Sequence, residues 1–218
     1  MPDLSPFLAS LGIALLLAFM LWFALGTGRN VRRGNALLAR LQAGLPLLGR
    51  RTTLRWLGSS AVELRLSEPD DPFREVTVVV VLEPRDVSFL WLLARTRGRR
   101  DFVILRGSLR RPPRVAVEVA DLSGWTGRDE PRARDEEDWQ TLAGWPEGRR
   151  ALVASGADSG LARSLWQRLE AAGGRPWRLS VRRTVPHLEV HLEPGESDAV
   201  MEKLVRAYRE IALEVAGR

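Results

Sequence analysis

Residues 177–192 read WRLSVRRTVPHLEVHL, and apolar side chains stand at every second position on both sides of a central turn. Successive side chains of a β-strand point to opposite faces of the sheet, so this spacing predicts two strands with one face in the core and one polar face. The turn between them is short enough to join antiparallel neighbours. The apolar positions are Trp177, Leu179, Val181, Leu188, Val190 and Leu192.

The sequence on either side of this pair predicts further strands and three helices. Residues 75–82, EVTVVVVL, are apolar on both faces, as is typical of a central strand. The fold class is therefore predicted as α+β, a mostly antiparallel sheet with helices packed on it. The other predicted strands are 52–57, 62–66, 102–106, 114–120 and 151–154, and the helices are 88–97, 159–172 and 198–216. The charged stretch near 135–142 is compatible with a further helix.

Two halves of the domain, 50–122 and 149–218, have the same β-α-β-β order of predicted elements. This order allows a diverged internal duplication with two pseudo-repeats. It is equally consistent with coincidence, because residue identity between the halves is weak.

The N-terminal segment, residues 1–28, is predicted to be a transmembrane anchor. No charged residue occurs in 4–28, and 7–25 are almost purely apolar, which is about the length that crosses the hydrocarbon core. Trp22 suits the membrane interface. The alternative is a cleaved secretory signal, but that needs a basic N-terminal flank, and here the flank is Met-Pro-Asp.

The charges after the anchor predict its orientation. Residues 29–51 contain six arginines and no acid, and basic residues stay on the cytoplasmic side. We therefore expect a protein of the inner membrane, with its N-terminus outside and the domain 50–218 in the cytoplasm. The six are Arg29, Arg32, Arg33, Arg40, Arg50 and Arg51.

The remaining chain is almost neutral. Of 33 basic and 27 acidic residues in all, residues 52–218 hold 27 basic and 26 acidic ones, because six arginines lie in 29–51 and Asp3 precedes them. A nucleic-acid-binding domain normally carries its own positive surplus. Nucleic acid is therefore not an expected partner.

The segment 29–49 is basic and amphipathic, and two interpretations stay open. It can lie on the anionic inner leaflet, with Arg29, Arg32, Arg33 and Arg40 near lipid phosphates. Alternatively, it packs its leucines on the domain or merely continues the anchor, with Pro46 ending it.

The strongest candidates for metal ligands are His187, Glu189 and His191, which share one face of the last predicted strand. The favoured interpretation of this face is a solvated outer surface, where the neighbouring arginine-containing strand supplies cross-strand charge pairs. No cofactor is predicted. With no cysteine, the chain has no disulfide framework and no thiol nucleophile.

The expected function follows from the anchor, the neutral domain and the lack of a recognisable catalytic motif. We expect a non-catalytic cytoplasmic interaction domain, as in an accessory subunit of a membrane complex, with Trp125, Trp139 and Trp145 as candidate partner contacts. One alternative is a binder of anionic lipid or nucleic acid through the arginines of 29–51 or 95–114. Another is a membrane-tethered enzyme that uses a metal at the histidine strand. Scarce Asn, Gln, Met and Cys fit a heat-adapted source or a GC-rich genome.

Overall fold

The computed structural model describes residues 5–128, 139–154 and 156–217 and confirms an α+β fold. A long N-terminal helix precedes one antiparallel sheet of nine strands, and three further helices lie between or after the strands. The helices are α1 (Ser5–Gln42), α2 (Ser88–Thr96), α3 (Ser159–Ala171) and α4 (Asp198–Gly217), and a short 3-10 helix spans Leu45–Leu47. The strands are β1 (Gly49–Trp56), β2 (Ala61–Pro69), β3 (Phe73–Val81), β4 (Phe102–Leu109), β5 (Ala116–Asp121), β6 (Gln140–Thr141), β7 (Arg149–Ala154), β8 (Pro176–Val181) and β9 (Leu188–Leu192).

The strand order is β1-β2-β3-β4-β9-β8-β5-β7-β6. Strands of the two halves alternate in the centre of the sheet, because β9 lies between β4 and β8, and β5 lies between β8 and β7. In the first half β3 pairs with β4, whereas the corresponding β7 and β8 are separated by β5. The strand order therefore does not confirm the pseudo-repeats, and the duplication stays a hypothesis.

One face of the sheet carries the hydrophobic core. Alternate apolar residues of the strands turn to this face, and α3, α4 and the C-terminal part of α1 cover it. Trp166 of α3 and Tyr208 of α4 are among its largest fully buried side chains. The tyrosine ring stacks on Phe73 of β3 with ring centroids 5.6 Å apart, which ties α4 to the sheet.

The helix α1 continues through the boundary predicted at residue 28. All residues in 6–25 are exposed, and the helix meets the length and composition expected of a membrane span. Farther along, Leu37, Leu38 and Leu41 are buried in the core. Of the two interpretations of 29–49, the structure has the one in which the leucines pack on the domain.

Candidate functional site

The face of the sheet opposite the core carries a pocket of about 620 Å³. Polar side chains from three neighbouring strands line it, because alternate residues of β4, β8 and β9 point away from the helices. These are Arg106, Arg178, Glu189 and His191, and the strands β2 and β3 add Glu63, Glu75 and Thr77. Other lining residues include Phe102, Ile104, Trp125, Thr126, Arg182, Val185 and Pro186.

At the base of this pocket, two arginines share one carboxylate. Glu118 of β5 is only 1% exposed, and its two oxygens accept hydrogen bonds from Arg178 at 2.7 Å and from Arg182 at 3.1 Å. The register explains the geometry, because Glu118 lies opposite Ser180, which places the two arginines at the diagonal positions. Two guanidinium groups and one carboxylate leave an excess of one positive charge.

Several polar atoms beside this charge have no hydrogen-bond partner within the described residues. They are Nε of Arg178, Nε of Arg182, Oγ of Ser180 and Nδ1 of His191, all buried. Buried polar atoms are nearly always paired, because an unpaired one retains the full cost of its desolvation. Both arginines line the pocket together with Arg106 and with three carboxylates, those of Glu63, Glu75 and Glu189, so the charges of the lining balance. The two Nε atoms themselves are buried.

A second ion pair lies next to the first. Glu189 of β9 accepts a hydrogen bond from Nε of Arg106 at 2.6 Å, and its other oxygen lies 2.8 Å from Nε2 of His191. Burial alone would raise the pKa of Glu189, but the hydrogen bond and charge of His191 and the charge of Arg106 outweigh it and lower the pKa to about 2. This carboxylate is therefore an anion throughout the physiological range.

The low pKa of Glu189 predicts acid sensitivity. The carboxylate stabilises the fold above about pH 4.5, the value for the unfolded chain, and that stabilisation is lost as the pH falls towards 2. In the Glu189→Gln variant, we expect the fall in unfolding free energy between about pH 5 and pH 2 to be smaller by about 2 kcal/mol. Tryptophan fluorescence during denaturation of the detergent-solubilised chain measures this. An unchanged fall would contradict it, and Glu196→Gln, at an exposed site, is the control.

The three candidate metal ligands do not come together. His187 is buried, and its Nδ1 accepts a hydrogen bond from the backbone N–H of Leu109 at 2.8 Å. This hydrogen bond holds the end of β4. Burial lowers the pKa of His187. Glu189 instead binds both His191 and Arg106. Among the described residues, no group of three or more His, Asp or Glu side chains is arranged to hold a metal. The interpretation of this face as solvated was also wrong, since both histidines are buried.

The candidate lipid-binding arginines divide into two pairs. Arg29 and Arg32 are exposed on α1. Arg33 instead donates to Asp101 at 2.9 Å, and Arg40 donates to the carbonyl oxygen of Gly195 at 3.0 Å, so these two attach α1 to the domain.

Two of the candidate partner-contact tryptophans, Trp125 and Trp145, lie in different parts of the domain. Trp125 lines the pocket, and the guanidinium of Arg99 lies 5.9 Å from its ring centroid. Trp145 packs against the main core, where Arg163 of α3 lies over its ring. Trp139 is half-buried just before β6. Of the three, only Trp125 lines the sheet-face pocket.

Sequence analysis missed a buried acidic pair, Glu83 and Asp101, which we call the acidic clamp. Asp101 accepts hydrogen bonds from Arg33 of α1, from Arg85 at 3.0 and 3.2 Å, and from the backbone N–H of Glu83. Burial opposes ionisation, but the hydrogen bonds of Arg85, Glu83 and Arg33 lower the pKa of Asp101 below its usual value. The feature of the sequence that could have identified this pair is its position, because each acid lies beside a buried strand.

The fold and the pocket define an α+β domain joined to an N-terminal helix that is long and apolar enough to cross a membrane. No family model matches this sequence, and no curated protein matches it.

Proposed function

We propose that this is a single-pass membrane protein, with its N-terminus outside, whose cytoplasmic domain is a non-catalytic interaction module. In this proposal, the sheet-face pocket receives an acidic group of a partner protein in a membrane complex. The carrying observation is the pair of arginines that shares one buried carboxylate. Arg178 and Arg182 carry one positive charge more than the Glu118 carboxylate that they share, and their two Nε atoms have no hydrogen-bond partner within the described residues.

The exposed part of α1 supports the membrane anchor. An uninterrupted apolar surface over 6–25 has no counterpart to pack on within the described residues, and it is long enough for the hydrocarbon core. The arginines that follow it support the orientation, since Arg29 and Arg32 are exposed directly after the apolar stretch, where basic residues favour the cytoplasmic side.

The state of the ionisable groups favours binding over acid–base catalysis. A general acid or base works best with a pKa near the operating pH. Glu189 has a pKa of about 2, and Glu118 is committed to two ion pairs. Both carboxylates therefore serve to position arginines rather than to move protons.

The rim of the pocket favours a protein partner over a free anion. Val185 is 68% exposed in the turn before β9, and Trp125 and Pro186 also border the pocket. Apolar and aromatic side chains around a charged centre are typical of protein interfaces, where they exclude water from the buried charge pair. A glutamate or aspartate side chain of the partner fits this combination.

A photo-cross-linking experiment tests the interaction. With a photoreactive residue in place of Val185 in the native membrane, we expect one discrete adduct with a partner protein. Arg182→Gln removes a charged donor in the pocket, and a hydrogen bond to a charge contributes about 1.5–3 kcal/mol, so we expect the adduct to fall at least tenfold. The matched control is Arg183→Gln, the same change at the exposed neighbouring position, which leaves the adduct intact. An adduct that Arg182→Gln does not weaken would contradict the pocket as the site.

The same cells test the orientation, because the chain contains no cysteine. A cysteine introduced at Asp3 is expected to react with a membrane-impermeant thiol reagent added to whole cells. A cysteine introduced at Arg183 is expected to react only after the membrane is opened. The reverse pattern would contradict the proposed orientation.

A further inference from the structure

The helix α2 turns its apolar side away from the domain. Four large apolar side chains occupy an arc of about 160° on its outer surface, and Phe89 and Leu92 are 69% and 59% exposed. Surface helices of water-soluble domains have the opposite arrangement, with the apolar side towards the core. The four are Phe89, Leu90, Leu92 and Leu93.

The inner side of α2 is fixed to the acidic clamp by polar contacts. Nε1 of Trp91 donates to Glu83 at 2.6 Å, and Arg95 lies 3.4 Å from the same carboxylate. The guanidinium of Arg95 also stacks over the ring of Trp91, and Ala94 is buried between them and the domain. These contacts fix the rotation of α2 about its own axis, so its apolar side faces away from the domain.

The position of α2 coincides with the end of the apolar stretch of α1. A Cβ on Gly26 would lie 2.2 Å from the carbonyl oxygen of Arg85 and 2.5 Å from Cα of Asp86, so α1 touches the segment that leads into α2. Arg40, fourteen residues farther along α1, contacts Gly195 instead. At 1.5 Å per residue this is about 21 Å deeper into the domain. The contact at Gly26, and α2 with it, therefore lies near the level at which the proposed anchor leaves the bilayer.

The charges around α2 match a membrane surface. Arg97 and Arg100 are exposed at its C-terminal end, and Arg29 and Arg32 are exposed on α1 close to the same level. Basic residues that flank an apolar helix surface are attracted to the anionic lipid headgroups of a nearby membrane. Leu57, in the turn before β2, adds a further exposed apolar side chain.

We infer that α2 is a second membrane contact, an interfacial helix whose outer side lies at the boundary between lipid headgroups and acyl chains. The inference rests on the proposed anchoring of α1. Phe89, Leu90, Leu92 and Leu93 enter the bilayer from the cytoplasmic side, and Arg97 and Arg100 contact lipid phosphates. The domain is then held to the membrane at two points, the end of α1 and the side of α2.

Fluorescence quenching of the full chain in lipid vesicles tests this inference. The vesicles are phosphatidylcholine with about one quarter phosphatidylglycerol, an anionic lipid. Because the chain has no cysteine, an environment-sensitive dye can be attached to a single cysteine at Phe89 or Leu93, at Leu25 near the end of the apolar stretch, or at Ala199 on α4. We expect quenching by shallow nitroxide lipids at positions 89 and 93 to equal that at Leu25, with none at Ala199. Aqueous iodide is expected to quench only the dye at Ala199.

Each outcome separates the two proposals. If iodide quenches the dye at positions 89 and 93 while the dye at Leu25 stays in lipid, the inference on α2 is overturned and the proposed anchor is retained. A dye protected from both iodide and nitroxide lipid indicates that protein covers α2, and this also overturns the inference. If the dye at Leu25 is in water, the anchor itself fails and α2 with it. As a matched comparison, Arg97→Gln with Arg100→Gln is expected to reduce nitroxide quenching at Leu93, whereas Arg110→Gln with Arg111→Gln, at an exposed turn away from α2, leaves it unchanged.

Discussion

Replacing Glu118 by glutamine is expected to lower the free energy of unfolding by about 3–5 kcal/mol. The substitution keeps the shape of the side chain but removes the negative charge that Arg178 and Arg182 share. Both guanidinium groups are largely buried, with 6% and 17% of their side chains exposed, so they would face each other without compensation. Chemical denaturation of the detergent-solubilised full chain, followed by tryptophan fluorescence, measures the loss.

Two further variants make this result specific. Glu202 pairs with Arg206 across one turn of α4 at an exposed site, and Glu202→Gln is expected to cost less than about 0.5 kcal/mol. Adding Arg178→Met and Arg182→Met to Glu118→Gln removes the unpaired charges, so most of the stability should return. If Glu118→Gln costs no more than Glu202→Gln, the buried arginine pair does not carry the uncompensated charge that we assign to it.

A chain that begins at residue 50 is expected not to fold, whereas one that begins at residue 29 is expected to fold. The segment between them supplies five leucines to the core, and truncation of one buried leucine to alanine already costs about 2–5 kcal/mol. On the same scale the loss of all five costs about 10–25 kcal/mol, against the 5–15 kcal/mol by which most domains are stable. The five are Leu37, Leu38, Leu41, Leu45 and Leu48.

Circular dichroism and thermal denaturation of the two truncated chains decide this prediction. The longer chain should show a cooperative transition, and the shorter one should show none or aggregate. Within the full chain, Leu41→Ala tests the same packing and is expected to cost about 2–5 kcal/mol. Leu16→Ala, in the exposed apolar part of α1, is its control and should leave the stability of the domain unchanged. A cooperative transition in the shorter chain would contradict the role of α1 in the core.

The strands and helices were predictable because their patterns are local. Alternation over residues 177–192 gave β8 and β9 within a residue or two, and the amphipathic spacing near the C-terminus gave α4. The strand order was not predictable, because the insertion of β9 between β4 and β8 depends on contacts that are distant along the chain. A helix suggested near 135–142 fails over its described end, where Gln140–Thr141 form the short edge strand β6, while 135–138 lie outside the described residues.

Only part of the site could be predicted from the sequence. Alternation identified the polar face that holds Arg178, Glu189 and His191, and cross-strand charge pairing was the expected arrangement. A solvated polar face and a buried one have the same sequence pattern, so the burial of these groups could not be predicted. The partner of the arginine strand could not be predicted either, because Glu118 belongs to a strand that is distant in sequence.

The leucines of 29–49 show a similar ambiguity. An amphipathic helix packs equally well on a bilayer surface or on its own sheet, and the spacing of Leu37, Leu38 and Leu41 fits both. The choice is made by the complementary surface that the sheet and α4 provide, together with the hydrogen bond from Arg40 to Gly195. Neither surface can be read from residues 29–49 alone.

The continuity of α1 has a mechanical consequence. A single helix without a break reaches from the exposed apolar stretch into the core, and Arg33 fastens it laterally to Asp101. If α1 is the membrane anchor that we propose, a tilt of its apolar stretch is passed on to the sheet through this continuous helix. In that proposal the length of α1 sets the height of the pocket above the bilayer. The proposed partner then presents its acidic group at that height, so reach along the membrane normal becomes part of the selectivity.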